Sequence, residues 1–192
     1  MSTVTSTYIT PEEYLERERK AETKSEYFRG EIFAMAGTSL RHARIVTNFA
    51  RELSQALRER PCNVYTTEVR LCVSQTGLYT YPDVMVVCGK EVLAASDLDT
   101  VTNPTVVIEV LSDSTKNYDR GQKFQSYRAL PSLAEYLTVS QNEMHVELWT
   151  RQPDQRWILT EYSDPGATIV LPSLGVELPL PDVYEKVDFS AK

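Results

Sequence analysis

Two acidic residues interrupt strand-like segments that are otherwise apolar. Asp83 begins the run in YPDVMVVC, and Glu109 lies late in PTVVIEVL, the most apolar segment of the chain. An ionised carboxylate in such a setting is costly unless it is paired, hydrogen-bonded or bound to a metal ion. One such residue favours a purely structural role. Two of them in successive predicted strands favour a pair of oxygen ligands for Mg²⁺ or Mn²⁺.

A basic residue that can act with these carboxylates lies in the next segment, which we predict to be helical from Ser114 to about Leu130. Asp119 and Lys123 are four positions apart, so they share a helix face and can form an ion pair. Lys123 also adjoins Phe124, at the edge of the buried side. An ammonium group near two carboxylates can position a water molecule and stabilise negative charge on a phosphate. The structural alternative is an ion pair on a solvated helix face.

The elements that must position these side chains alternate between helix and strand. Thr10 and Pro11 predict the start of a short helix, with Glu13 placed for a capping box. Apolar residues recur three and four positions apart from Ser39 to about Arg60, which predicts a longer helix. Other segments are predicted as strands or hairpins, namely SEYFRGEIFAMAG, VYTTEVRLCVS, LYTYPDVMVVCG, PTVVIEVLS, LAEYLTVS, HVELWT and RWILTEY. This order predicts one α/β domain with a mixed sheet.

Composition and charge exclude several classes of protein. The 192 residues include 27 acidic and 20 basic side chains, a net charge of −7. This balance argues against a protein that coats phosphates with a basic face, but not against an enzyme that acts through metal-bound carboxylates. No apolar run approaches the ~20 residues that cross a bilayer, and the N-terminus lacks the pattern of a secretory signal. We therefore expect no membrane association and a cytoplasmic location.

The three cysteines, Cys62, Cys72 and Cys88, show no CxxC pairing and lie in or beside apolar strand-like segments. A reduced cysteine in such a place behaves as a small hydrophobic residue. We expect three buried free thiols.

The same segments resemble a known family. The order and spacing of EYFRGEIFAMAG, His42, YPDVMVVCG, the stretch from VVIEVLSDSTKNYDRGQKF to SLAEYLTVS, and ELWT are similar to those of the Uma-type restriction endonucleases. The resemblance extends from about Thr10 to Tyr184. That family is placed in the PD-(D/E)XK nuclease superfamily. The resemblance implies an α/β, restriction-endonuclease-like fold, with a mixed central sheet flanked by helices, in a single domain over residues 1–192 whose core spans about 10–185.

The resemblance also implies roles for the residues singled out above. Asp83 corresponds to the first metal ligand and Glu109 to the second, and the backbone carbonyl of Val110 completes the coordination of Mg²⁺ or Mn²⁺. The superfamily's lysine two positions after the glutamate is replaced here by Leu111. Lys123, in the following helix, resembles a relocated substitute for that lysine, with Asp119 as its neighbour.

Three further residues match family positions. An acid from the N-terminal region can join the metal site, and both Glu26 and Glu31 are candidates. We favour Glu31, because Gly30 lets the backbone turn just before it. His42 lies on the apolar face of the long helix, in its first turn. It is either a hydrogen-bonded packing residue or a proton shuttle near neutral pH.

The leading functional hypothesis is a metal-dependent endonuclease that hydrolyses the phosphodiester bonds of DNA with metal-activated water. The alternative is a catalytically silent, dimeric member of the fold that binds or regulates, which Leu111 and the acidic net charge favour. A glycosidase carboxylate pair is a third option, but it leaves Lys123 without a role. We expect a homodimer. The hairpin around Trp149 and Trp157 either offers it an apolar surface or places both tryptophans in the core.

Overall fold

The helices begin where the sequence provides caps. Helix α1 (Pro11–Glu18) starts at the predicted capping box: Thr10 Oγ1 accepts from the Glu13 amide at 3.2 Å, and the Glu13 carboxylate accepts from the Thr10 amide at 2.9 Å. Helix α2 (Leu40–Ala56) is capped by Ser39, whose hydroxyl accepts from the backbone of His42 at 3.0 Å. The computed structural model from which these contacts come describes residues 8–35, 37–94, 99–112 and 116–190.

A six-stranded mixed sheet forms the centre of the fold. Its strands lie in the spatial order β11 (Trp157–Tyr162), β10 (Val146–Arg151), β9 (Glu135–Ser140), β8 (Val106–Leu111), β6 (Val84–Cys88) and β3 (Cys62–Thr66). Only the β8–β9 pair within this sheet is parallel. A parallel pair needs a crossover connection, and the predicted helical segment provides it.

Two smaller sheets accompany the central sheet in the described residues. A five-stranded sheet has the order β2 (Glu31–Ala34), β1 (Ser25–Phe28), β5 (Leu78–Thr80), β4 (Arg70–Val73) and β7 (Thr100–Val101). Near the C-terminus, β12 (Thr168–Leu171) pairs with β13 (Val176–Pro179), followed by the short helix α5 (Leu180–Val183). The predicted hairpin around Trp149 and Trp157 is present, and SEYFRGEIFAMAG forms a hairpin that turns at Arg29–Gly30.

The crossover between β8 and β9 is not a uniform α-helix. A short α3 (Lys116–Tyr118) leads into a π-helical turn (Asp119–Lys123), which continues into α4 (Phe124–Tyr127). The predicted start at Ser114 lies outside the described residues. Single π-helical turns inside helices are rare and occur frequently at functional sites.

The central sheet is covered on both faces, as its near-continuous apolar strands predict. On one face, Ile45 and Phe49 of α2 belong to the same buried cluster as Val86, Ile108 and Leu137. The other face belongs to a second buried cluster with the crossover and the five-stranded sheet, whose members include Met85, Val107, Tyr136, Phe124 and Leu71. Because Val107 and Glu109 are two positions apart on β8, Glu109 points to this second face.

One expectation is wrong, and one open alternative is decided. Cys62 and Cys88 are not free thiols: they are directly opposed on β3 and β6 and form a disulfide, while Cys72 is free and buried. Of the two alternatives for Trp149 and Trp157, the structure shows packing in the core: both rings contact Phe124, with ring centroids 5.1 and 5.3 Å away.

Across the described ranges, no helix combines the length and the apolar character that crossing a membrane requires.

Candidate active site

Asp83 is held by two donors at the start of β6. Its Oδ2 atom accepts a hydrogen bond of 2.7 Å from the Val110 amide, and His42 Nε2 lies 3.1 Å from the same oxygen. The ring is fixed from its other side, where Thr38 Oγ1 lies 2.9 Å from Nδ1. The helix cap at Ser39 sets this first turn of α2, so it also places the His42 ring against Asp83.

Glu109 lies deep in the second face of the central sheet, with 3% of its surface exposed. Its Oε1 atom accepts a 2.6 Å hydrogen bond from the hydroxyl of Tyr127 and lies 3.0 Å from Lys123 Nζ. Both partners come from the crossover helix, where they are four residues apart and therefore share a face. The role of Tyr127 was not predicted, although this spacing from Lys123 is a signal for it.

Lys123 is buried and surrounded by carboxylates. Its ammonium lies 2.9 Å from Glu26 Oε1, 3.0 Å from Glu109 Oε1 and 3.6 Å from Asp119 Oδ1. Leu111, two residues after Glu109 in β8, is buried and carries no charge. The ammonium beside Glu109 therefore comes from the crossover helix and not from the strand. The i, i+4 pairing with Asp119 is present, and it is not a solvated ion pair.

The N-terminal acid in this cluster is Glu26, not the favoured Glu31. Glu26 lies on β1 between two neighbouring strands, is 9% exposed, and accepts a short hydrogen bond from the Thr80 hydroxyl of β5. Glu31 is exposed on β2, at the edge of that sheet. The two acids therefore have different environments, although they belong to one hairpin.

The electrostatics of this cluster favour an added cation. Three carboxylates share one ammonium, a formal charge of −2 when all four groups are ionised. Burial raises the pKa of Glu109 to about 8, although attraction to Lys123 lowers it. Burial lowers the pKa of Lys123, but attraction to Glu109 and the other nearby groups outweighs burial, so this pKa lies well above its ordinary value. The ammonium is therefore a permanent charge.

Asp83, Glu109, Val110 and Lys123 line one cavity of about 1190 Å³, together with His42, Glu26 and Asp119. The contacts described above use Oδ2 of Asp83 and Oε1 of Glu109. Within the described residues, Oδ1 of Asp83 and Oε2 of Glu109 have no hydrogen-bond partner. Hard divalent cations take oxygen ligands of this kind. The donor set thus fits Mg²⁺ or Mn²⁺.

A second group of possible ligands was not predicted. His145 just before β10, Glu147 on β10 and Glu161 on β11 bring one ligand atom each to within 4.8 Å of one another. These groups are already partnered: Glu147 accepts from Thr138 and Arg120, and His145 lies 3.2 Å from Glu161. Their place on neighbouring strands, which local sequence does not show, explains why the pattern was missed.

Known proteins are similar to this chain in sequence. A sequence model of the Uma2 family, described as "Putative restriction endonuclease", matches residues 11–181. Two proteins of Synechocystis, both described as uncharacterized, are similar over most of their length. The first, sll1609, is 37% identical over 88% of this chain and 96% of its own. The second, slr1290, is 33% identical over 94% of each chain.

The fold also has a solved counterpart. A protein from Anabaena variabilis, described as a putative nuclease belonging to DUF820, has a crystal structure that superposes with a TM-score of 0.74. It is 17% identical in sequence and covers 92% of this chain and 97% of its own. This likeness confirms the mixed α/β fold. The family model confirms the resemblance inferred from the sequence, and the chain belongs to the Uma2 family.

Proposed function

We propose that this chain is a nuclease that hydrolyses phosphodiester bonds of DNA with the help of bound Mg²⁺ or Mn²⁺. One observation carries the proposal: a buried ammonium, that of Lys123, lies 3.0 Å from Glu109 in a cavity that Asp83 also lines. The description of the family and that of the Anabaena structure support a nuclease-like function.

Asp83, Glu109 and the carbonyl of Val110 would hold the metal ion. When bound, such an ion lowers the pKa of a water ligand and neutralises phosphate oxygens. His42 and the Val110 amide contact Asp83 Oδ2, which leaves Oδ1 as the oxygen for a metal ion in the cavity that Asp83 lines. Tyr127 does the same for Glu109 by donating to its Oε1 atom.

Lys123 supplies fixed positive charge to the reaction. In hydrolysis, the water oxygen forms a bond to phosphorus while the bond from phosphorus to the leaving ester oxygen breaks, and negative charge builds on the phosphate oxygens. A permanent ammonium at the wall of the cavity stabilises that charge and can orient the attacking water. Glu26 and Asp119 position the ammonium, because their carboxylates contact it from other directions.

A cleavage assay tests this proposal. The purified protein is incubated with labelled single- and double-stranded DNA and RNA, in Mg²⁺, Mn²⁺ or EDTA. We expect cleavage of DNA that requires a metal ion and is absent in Asp83→Ala. Asp154→Ala is the matched control, because Asp154 is half exposed in a hairpin turn and pairs only with Arg156 among the described residues. Cleavage that persists in Asp83→Ala would contradict the assignment.

A metal titration, added to the cleavage assay, distinguishes a nuclease from a silent binding protein. If no substrate is cleaved, titration with Mn²⁺ shows whether Asp83 and Glu109 still bind a metal ion. Absence of both cleavage and metal binding would overturn the nuclease proposal in favour of a binding or regulatory role.

Assembly as a homodimer is part of the proposal. Strand β11 forms an edge of the central sheet, and it exposes 52% of Ile158 and 38% of Leu159. An exposed edge strand with apolar side chains is a surface on which a second copy can pair. Light scattering at micromolar concentration should give twice the mass of the chain, and Ile158→Lys should restore the monomer. A monomeric parent protein would refute this.

A further inference from the structure

A second cavity, of about 890 Å³, lies against the crossover helix. It is lined by three arginines, Arg29, Arg120 and Arg128, and by glutamines and aromatic rings. The described residues that line it include no aspartate or glutamate. In a chain with a net charge of −7, such a concentration of cations stands out. We call this cavity the arginine groove.

Two of the three guanidinium groups are not neutralised by carboxylates. Within the described part of the chain, Arg29 and Arg128 have no ion-pair partner, and each lies over an aromatic ring, that of Phe28 at 5.0 Å and that of Phe124 at 5.8 Å. Arg120 is different, because its Nε donates to Glu147 at 2.9 Å. The groove therefore keeps two uncompensated positive charges.

Arg29 occupies an unusual backbone position. The two residues between β1 and β2, Arg29 and Gly30, have φ angles of 48° and 96°. A two-residue hairpin turn of this kind favours asparagine or glycine at its first position. The Arg29 side chain donates to the Thr76 carbonyl at 3.5 Å and lies over Phe28, contacts that hold the guanidinium without neutralising it.

Another arginine, Arg151, lies close to Arg128. Arg151 donates to the carbonyl of Arg128 at 2.6 Å. Burial lowers the pKa of Arg151, and repulsion from the Arg128 guanidinium lowers it further. Arg151 is thus a further cation close to Arg128.

The groove adjoins the candidate active site. Phe28 and Gln122 line both cavities, so they form the boundary between them. Lys123 belongs to the active-site cavity, whereas its neighbours Gly121 and Phe124 line the groove. A nucleic-acid strand that passes from Lys123 across Phe28 and Gln122 therefore enters the arginine groove.

We propose that the arginine groove binds the phosphodiester backbone of the strand that is cut beside Lys123, an inference that rests on the proposed nuclease function. Arg29 and Arg128 contact phosphates away from the scissile bond. Such contacts fix the position of a strand without reading its bases. The substrate is accordingly a polynucleotide that extends beyond the reacting nucleotide.

The salt dependence of binding tests this inference. Binding of a labelled single-stranded DNA is measured in the Asp83→Asn protein, which prevents cleavage, between about 50 and 200 mM salt. The test variant adds Arg29→Asn, which suits the turn, and Arg128→Gln. The control adds Arg58→Gln and Arg156→Gln, two exposed arginines that line neither cavity.

Losing two phosphate contacts should reduce the slope of log affinity against log salt by about 1.4, since each contact on a single strand contributes about 0.7. At about 0.1 M salt this corresponds to a loss of roughly 25-fold in affinity. The control should keep the slope and affinity of its parent. Equal thermal midpoints confirm that the variants are folded. Arg128→Gln alone should reduce the slope by half as much as the double variant, about 0.7.

The outcomes separate this inference from the function beneath it. If the parent chain cleaves DNA but the arginine variants bind with an unchanged slope, the groove is refuted and the nuclease function stands. If the parent chain neither binds nor cleaves any nucleic acid, the proposed function fails and the groove falls with it.

Discussion

Replacing Lys123 by methionine removes one buried positive charge and leaves a side chain of similar length. In the parent protein the ammonium lies within 3.6 Å of three carboxylates, those of Glu26, Glu109 and Asp119. Each of them is less than 10% exposed. Without the ammonium, these acids must either remain charged in a buried place or take up protons.

The expected loss of stability is large. Removing one partner of a buried ion pair costs about 3–5 kcal/mol, because the remaining charge is no longer compensated. Unfolding entropy is about 2.1 cal/mol/K per residue, or about 0.4 kcal/mol/K for a chain of this size. A loss of about 4 kcal/mol therefore lowers the thermal midpoint by about 10 °C.

The effect also depends on pH, with a sign that follows from linkage. An acid whose pKa is raised in the folded state adds stability below its unfolded pKa, and that contribution is lost as the pH rises through the folded pKa. For Glu109 this window extends from 4.5 to about 8 in the parent protein. Removal of Lys123 raises the pKa of Glu109 further. The deficit of Lys123→Met should therefore be greatest in alkaline solution and smaller in acid.

Thermal and urea denaturation, each followed by circular dichroism at pH 5 and pH 8 in EDTA, measures both effects. Lys186→Met is the matched control, because that lysine is 75% exposed and pairs with Glu185 on the surface. It should change the unfolding free energy by less than about 0.5 kcal/mol. A Lys123→Met protein within about 1 kcal/mol of the parent protein at pH 8 would refute the electrostatic reasoning.

Three other changes test separate parts of the structure. Tyr127→Phe leaves buried Glu109 without its 2.6 Å hydrogen bond and should cost about 2 kcal/mol in thermal unfolding; an unchanged midpoint would contradict the bond. His42→Ala frees one side of Asp83 Oδ2 and should lower kcat for cleavage about 10- to 100-fold, as seen for groups that orient metal ligands, while full activity would show that the ring is dispensable. Cys62→Ser with Cys88→Ser opens a loop with a sequence separation of 26 residues and should lower the unfolding free energy by about 3.5 kcal/mol in urea; equal stability of the oxidised parent and the variant would count against the disulfide.

Much of the fold and part of the site follow from local sequence. Asp83 and Glu109 are recognisable because each is the only acid in an apolar segment; Asp83 directly precedes β6, Glu109 lies in β8, and these strands pair as neighbours. The approach of Lys123 to Asp119 follows from helical spacing. These signals lie within one element, where the period of the side chains decides which residues share a face.

Other features depend on which strands pair, and short segments do not reveal this. Glu26 is buried because β1 pairs with β5, whose Thr80 lies 54 positions further along the chain. Glu31, five residues after Glu26, is exposed because β2 is an edge strand. The Cys62–Cys88 disulfide likewise depends on the register between β3 and β6.

The π-helical turn at Asp119–Lys123 has a consequence for how this family changes over time. Such a turn contains one more residue than an α-helical turn, so it is equivalent to a one-residue insertion. Gly121 is exposed, and a side chain there would touch nothing within 4 Å, so its deletion should not disturb packing directly. Deletion would return this segment to α-helical geometry and shorten the spacing of Asp119 and Lys123 from four residues to three, which changes how the two side chains meet. Relatives that gain or lose a single residue here would keep the fold but change which side chains contact the lysine. Insertion or deletion at this turn can therefore alter activity where a substitution does not.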